Sequence, residues 1–221
     1  MSDDSFIREV NQELRQDQAK ALWDRYGTAV IAAAVAILVA TSAWVGWDYW
    51  SQTCADRSGD AYLQALELAR DGKTDEAKAA LAALEAGGYG AYPVLARMRT
   101  ATLAAEAGDH AGAISGFDSV AADGAVPAAI REMARLRAAL LLVDTGSYAD
   151  VAQRVETLTA ETNPLRHSAR EALALAAWKE GRTADAAALY GQIIDDEGAP
   201  QNIRQRATLM SELIRGSGAS S

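Results

Sequence analysis

Hydrophobic and polar residues follow two different patterns along this chain, and the change falls near residue 50. From Tyr26 to Trp47 no charged side chain interrupts the sequence. The centre, Ala29 through Ala40, is wholly apolar, and Thr41 and Ser42 lead on to Trp44 and Val45. At ~1.5 Å per residue such a helix reaches roughly 33 Å, against a bilayer hydrocarbon core of about 30 Å. After Ser58 apolar residues recur at helical spacing, punctuated by glycine at regular intervals. The two patterns predict an all-α protein. One N-terminal transmembrane helix is followed by an α-solenoid of about four helix pairs and a C-terminal capping helix.

The apolar stretch has the ends of an anchor. Trp23 and Tyr26 flank its start; Trp44, Trp47, Tyr49 and Trp50 flank its end. Amphipathic rings prefer the headgroup level, so four of the five tryptophans form an interfacial belt. A core helix of this length carries a polar face, and this one has none. A cleaved signal needs a short basic leader and a small-residue site, whereas residues 1–25 hold six acids. The expectation is an uncleaved span over residues 26–47, between a leader (1–25) and a connector (48–57). Arg15, Lys20 and Arg25 precede the span, and Arg57 is the single Lys or Arg between its end and Arg70. That bias places the N-terminus in the cytoplasm; in a bacterium the bulk of the chain is then periplasmic, held by the inner membrane. In the leader, Phe6, Ile7, Val10 and Leu14 share one helical face. It reads either as an amphipathic helix on the membrane or a partner, or as a plain helical lead-in.

From residue 58 the period is set by Gly72, Gly108, Gly146 and Gly181, spaced 36, 38 and 35 apart. Each is expected to end a helix in the left-handed conformation, with a second helix starting two or three residues later. Seven residues before each stands an alanine: Ala65, Ala101, Ala139, Ala174. Nine residues after stands Leu81, Phe117, Val155 or Tyr190. Small residues let the two helices approach, and larger ones fill the space to the neighbouring pair. Pro93, Pro127, Pro164 and Pro200 mark new helix starts, where a missing N–H costs nothing. The helix pairs then fall at 55–71 and 74–86, 92–107 and 109–122, 127–145 and 148–161, 164–180 and 183–195. A segment from Gln201 to Arg215 caps the stack. The repeat domain covers 58–215, and 216–221 reads as a disordered tail.

Composition narrows the chemistry. The net charge of −9 argues against nucleic acid, because phosphate binding needs clustered Lys and Arg. Cys54 is the one cysteine, so no disulfide forms within the chain. His110 and His167 lie apart from any cluster of metal-ligating residues, and no metal or cofactor is expected. Gly87-Gly88-Tyr89-Gly90 lacks the Lys-Ser/Thr of a phosphate loop and reads as a linker. Asp195-Asp196-Glu197 reads as a solvated helix end. No nucleophile elbow or paired-carboxylate site emerges, so the chain is expected not to be an enzyme.

The small residue–glycine–alanine–apolar series resembles the tetratricopeptide repeat (TPR) family. Its clearest stretch is Gly181-Arg182-Thr183-Ala184-Asp185-Ala186-Ala187-Ala188-Leu189-Tyr190. The first helices lack that family's usual Trp and Leu-Gly pair. In a TPR stack the first helix of each pair lines the concave face. Registered on the glycines, that face is expected to carry Tyr62, Leu66, Leu95, Met98, Met133, Leu136, Leu140, Leu175 and Trp178. Arg70, Glu106, Asp144, Glu171 and Lys179 are expected to edge it. An apolar groove with Met and Trp suits peptide binding; the competing reading packs these residues on the next repeat. The full arrangement of Ser-Asp-Asp-Ser-Phe-Ile-Arg-Glu-Val leader, single span and TPR-like repeats resembles the bacterial ancillary Sec-translocon subunit family. That resemblance implies Sec translocon channel subunits, a periplasmic chaperone or prolyl isomerase, and translocated client polypeptides as partners. Against it stands a structural accessory subunit of another envelope or respiratory complex.

Overall fold

A computed structural model of the protein describes the backbone of residues 3–218 and the side chains of residue 20 and residues 23–216. Every regular element among those residues is helical. In order they are α1 (Asp3–Arg70), α2 (Thr74–Gly87), α3 (Tyr92–Glu106), α4 (His110–Ala122), α5 (Ala128–Thr145) and α6 (Tyr148–Val155). A 3-10 turn (Glu156–Thr159), α7 (Arg166–Lys179), α8 (Thr183–Asp195) and α9 (Gln201–Gly218) follow. The leader side chains of Phe6, Ile7, Val10 and Leu14, and residues 219–221, lie outside the described residues.

The chain divides into two compact units, Met1–Asp56 and Arg57–Ser221. The first is helix alone. Its apolar window has a mean hydropathy of 2.2, and none of it is buried. Ile37, Leu38, Val39 and Trp44 stand 63–70 % exposed. A soluble core helix hides such residues, so the core alternative fails here. The helix is long and apolar enough to cross a membrane. Thr41, the polar side chain nearest its centre, donates its hydroxyl to the Ile37 carbonyl at 2.8 Å, so its hydrogen is met within the helix, as an apolar surrounding requires. Residues 48–57, expected as a connector, are helical. Ser51 and Thr53 return their hydroxyls to the carbonyls of Asp48 and Tyr49, and no proline intervenes.

The second unit is a run of four small cores, each shared by three helices. The first joins Ala65 of α1, Leu81 and Leu84 of α2, and Ala96 and Leu103 of α3. The second gathers Met98, Ala101, Phe117, Val120, Ala134 and Ala138 from α3, α4 and α5. The third gathers Leu136, Ala139, Val151, Val155, Leu158, Ala169 and Leu173. The last holds Ala174, Ala177, Ala186, Tyr190 and Ile193 against Ile203, Ala207 and Ile214 of α9. Each of α3, α5 and α7 thus feeds two cores and α1 and α9 one each, which is the nearest-neighbour stacking of a solenoid. Close approach depends on missing atoms: a Cβ on Gly116 would meet the Ala101 methyl at 2.9 Å.

Three of the four register glycines turn the chain as expected. Gly72, Gly108 and Gly181 have φ of 78°, 83° and 77°. The following amides of Lys73, Asp109 and Arg182 each reach the carbonyl five residues back, at 2.9 Å. Gly146 departs from the rule, with φ −101° and ψ −174°. There Ser147 and Asp150 form a capping box for α6, and Lys179 Nζ donates to the carbonyls of Val143, Asp144 and Gly146. A side chain from the next pair satisfies the helix end that a left-handed glycine serves elsewhere. The helix expected over 148–161 also ends early, at Val155, and tightens into the 3-10 turn. Arg170 Nη2 donates to the freed Thr159 carbonyl at 3.0 Å. The tail expected at 216–221 is helical as far as Gly218.

Candidate docking face

Two cores claim two faces of α3, α5 and α7, one core claims a face of α1, and each helix keeps a further face free of them. On α3, Ala96 and Leu103 point to one core and Met98 and Ala101 to the next. Leu95, Arg99, Thr102 and Glu106, spaced i, i+4, i+7, i+11, share the remaining face. On α5 the same subtraction leaves Met133, Arg137, Leu140 and Asp144. On α7 it leaves Glu171, Leu175 and Trp178. On the last turns of α1 it leaves Leu63, Leu66 and Arg70.

Exposure picks out the same face. The large apolar side chains exposed in this unit are Leu63, Met133, Leu140, Trp178, Leu209 and Leu213. All six lie on α1, α3, α5, α7 or α9, and none on α2, α4, α6 or α8. Exposed apolar residues gathered on one layer of a solenoid make that layer the candidate interaction surface.

The residues expected to line a groove divide accordingly. Leu140 (44 % exposed), Trp178 (38 %) and Met133 (37 %) are open to solvent. Leu66, Leu95 and Leu175 are half-buried on the same face. Tyr62 is half-buried too, its ring 6.1 Å from that of Tyr92. Met98 and Leu136 are buried within the second and third cores and present nothing to a partner. Of the edge residues, Arg70, Glu106, Asp144 and Lys179 are exposed. Glu106 takes a hydrogen bond from Arg99 at 3.1 Å, and Glu171 a bidentate pair from Arg206 at 2.6 and 2.7 Å. Sequence reasoning missed Leu63, Arg99 and Arg137. They stand nine residues before Gly72, Gly108 and Gly146, so the glycine register holds the signal that finds them.

Charge is sorted by layer as well. From residue 57 on, α1, α3, α5, α7 and α9 carry thirteen Lys and Arg against seven Asp and Glu. The second helices, with the 3-10 turn, carry two against eight. In an acidic chain the layer with the exposed apolar residues is the basic one. Arg137 spans two first helices, donating to the Thr102 hydroxyl at 3.0 Å and lying over the Phe117 ring at 5.8 Å.

Other arginines hold the loops. Eleven residues before Gly108 and Gly181 stand two of them, Arg97 and Arg170. Arg97 donates to Asp123 at 2.7 Å; that bond, then the Ala125 amide, holds the Asp123 carboxyl below its usual range. At the equivalent place in the last pair, Asp196 accepts from Arg166 and sits 2.9 Å from buried His167 Nε2. The Arg166 bond, then that to His167, holds the Asp196 carboxyl far below the ordinary carboxylate value. A polar cavity lined by Glu161, Arg166, Gln192 and Glu197 opens beside this cluster. The described residues hold no group of three or more His, Cys, Asp or Glu arranged to bind a metal.

Comparison with known proteins bears on both units. A family profile described as a tetratricopeptide repeat-like domain matches residues 20–164. A second, described as a tetratricopeptide repeat, matches residues 136–202. The first match begins ahead of the apolar stretch, so span and repeats are matched as one stretch. No curated protein and no solved structure matches the chain.

Proposed function

We propose a function from one premise: the chain belongs to the tetratricopeptide repeat-like domain family. Repeats of this kind are protein-interaction modules, and this one is joined to a helix fit to cross a membrane. In our reading the protein is a membrane-anchored scaffold, with α1 in the bilayer, the N-terminus cytoplasmic and the repeats periplasmic. It serves as an ancillary subunit of the Sec translocon and links the channel to a periplasmic chaperone or prolyl isomerase and to newly translocated polypeptides. It performs no chemistry of its own.

The observation that carries the scaffold is the one-sided exposure of Leu63, Met133, Leu140, Trp178, Leu209 and Leu213 on the first-helix layer. Leu66, Leu95 and Leu175 complete the docking face, with Trp178 as its leading anchor, since an accessible tryptophan dominates many binding surfaces. The translocon assignment is supported by the order of leader, apolar helix and repeats along the chain. Affinity purification of the full chain in mild detergent tests it. Channel subunits and a periplasmic folding factor are expected to co-purify. Stoichiometric recovery with a different membrane complex, and no channel, overturns the translocon assignment and favours a structural accessory subunit.

A further inference from the structure

The terminal helix α9 begins after Pro200, as earlier first helices begin after Pro127 and Pro164. It then packs as a first helix does. Ile203, Ala207, Met210 and Ile214 face the last core, as Ala169, Leu173 and Ala176 of α7 face the one before. The two sets stand 34 residues apart. At the same offset, Arg204 repeats Arg170. Each sends Nη2 back to carbonyls of the loop preceding its helix: Thr159 for Arg170, and Asp196, Glu197 and Ala199 for Arg204. Side-chain chemistry and packing therefore give one register.

That register places Leu209 at the position of Leu66, Thr102, Leu140 and Leu175, and Leu213 one turn further on. A helix that only closes a stack is polar on its free sides. Here Thr208 and Ser211 are polar where a fifth second helix would pack, so the stack ends. Leu209, however, is 70 % exposed and Leu213 49 %. The first-helix ridge thus runs on beyond the four pairs, onto a helix that lies almost wholly past both family matches, which end at 164 and 202.

We infer that α9 is the fifth rung of the docking face, and that it receives an apolar partner segment flanked by carboxylates. The inference rests on the scaffold reading above. The charge on the helix selects the partner: α9 carries Arg204, Arg206 and Arg215 against Glu212 alone, in a chain of net charge −9. Arg206, one turn before Leu209, is 53 % exposed in its pair with Glu171, and Arg215 is 71 % exposed in its pair with Glu212, within a first-helix layer that carries thirteen Lys and Arg against seven Asp and Glu. An acidic flank gains from the net positive charge of this layer, and a basic flank meets repulsion.

The test uses the full chain in lipid nanodiscs and fluorescein-labelled synthetic peptides read by anisotropy. One peptide holds four leucines at i, i+4 spacing between two Glu-rich flanks; its twin has Lys for every Glu. The acidic peptide is expected to bind, and its twin at least about tenfold more weakly, as several lost charge contacts imply. Leu209→Ser with Leu213→Ser is expected to weaken the acidic peptide about tenfold, as loss of a hot-spot pair does. Both residues are exposed, so the circular dichroism melt stays where it is. Arg215→Glu is expected to narrow the gap between the twins. If Trp178→Ala weakens binding while the leucine variant does not, the face is real and stops at α7: the inference on α9 is overturned and the scaffold stands. If the twins bind equally well, the partner chemistry is wrong. If neither peptide binds and Trp178→Ala changes nothing, both the inference and the docking face fall.

Discussion

Alanine dominates the apolar span and also the seams between the repeat helices, with opposite results. In the span, residues 29, 32, 33 and 34 are alanines that lie exposed with their larger neighbours. In the repeats, Ala77, Ala96, Ala113, Ala134, Ala138, Ala139 and Ala169 are fully buried. Both segments are helical for the same local reason, the high helix propensity of alanine. They differ in what the alanines meet. In the repeats a small side chain recurs at one register and a large one from the next helix fills the space above it, so protein covers protein. In the span small and large apolar residues surround the helix on every side, a surface suited to lipid. The period of the pattern, more than its hydrophobicity, decides whether a helix looks for a protein or a membrane.

The comparison breaks most forcefully at the large residues that fill the seams. Phe117 is 3 % exposed between α3, α4 and α5. Phe117→Ala is expected to lower stability by about 3–5 kcal/mol in chemical denaturation of the full chain, through lost burial and the cavity left behind. Next comes a paired substitution that adds the same atoms to each region. Ala138→Leu overfills a seam with 0 % exposure and is expected to cost about 1–3 kcal/mol. Ala33→Leu is expected to leave the repeat domain's melting unchanged and the chain's membrane retention intact. Equal losses from the two would erase the distinction.

These outcomes touch what the sequence made readable. The apolar stretch, the glycine period and the helical class were legible because each is a local pattern. Gly146 was not. Its extended backbone depends on Lys179, which stands 33 residues away in sequence and is brought to the corner only by stacking. Met98 and Leu136 share the spacing of a free face, yet the crossing of neighbouring helices turns them into cores. The exposed leucines of α9 escaped because no glycine stands at the right distance after them. Gly216, the nearest, assigns Leu209 to the small-residue position. Register there emerges only from Arg204 and the packing of Ile203 and Ala207.

Two smaller effects sharpen the picture within the repeats. Asp196, bound to Arg166 and His167, has its carboxyl held well below the ordinary value near 4. The unfolded chain therefore takes up the proton first as pH falls. The carboxylate's contribution is fully present above about pH 4 and drains away below it. Asp196→Asn is expected to reduce stability at neutral pH and to flatten the acid limb of the stability–pH curve; an unchanged acid limb would contradict the ion cluster. The smallest effect is expected at Tyr190. It is 0 % exposed, its hydroxyl has no hydrogen-bond partner among the described residues, and burial, then Glu171, pushes that hydroxyl up to about 12. Tyr190→Phe removes a buried donor that gains nothing and keeps the ring. It is expected to leave the melting temperature unchanged or slightly raised, and a marked fall would reveal a partner for the hydroxyl.

The claim at the centre is that one layer of the repeats is left bare for other proteins to cover. Photo-crosslinking in native membranes tests it most directly. Benzoylphenylalanine is placed at Trp178, on the first-helix face, or at Gln153, an exposed position on α6. Position 178 is expected to give discrete adducts with a translocon subunit, a folding factor or a chain in transit, and position 153 none. Equal adducts from both positions, or adducts from 153 alone, would contradict a one-sided docking face.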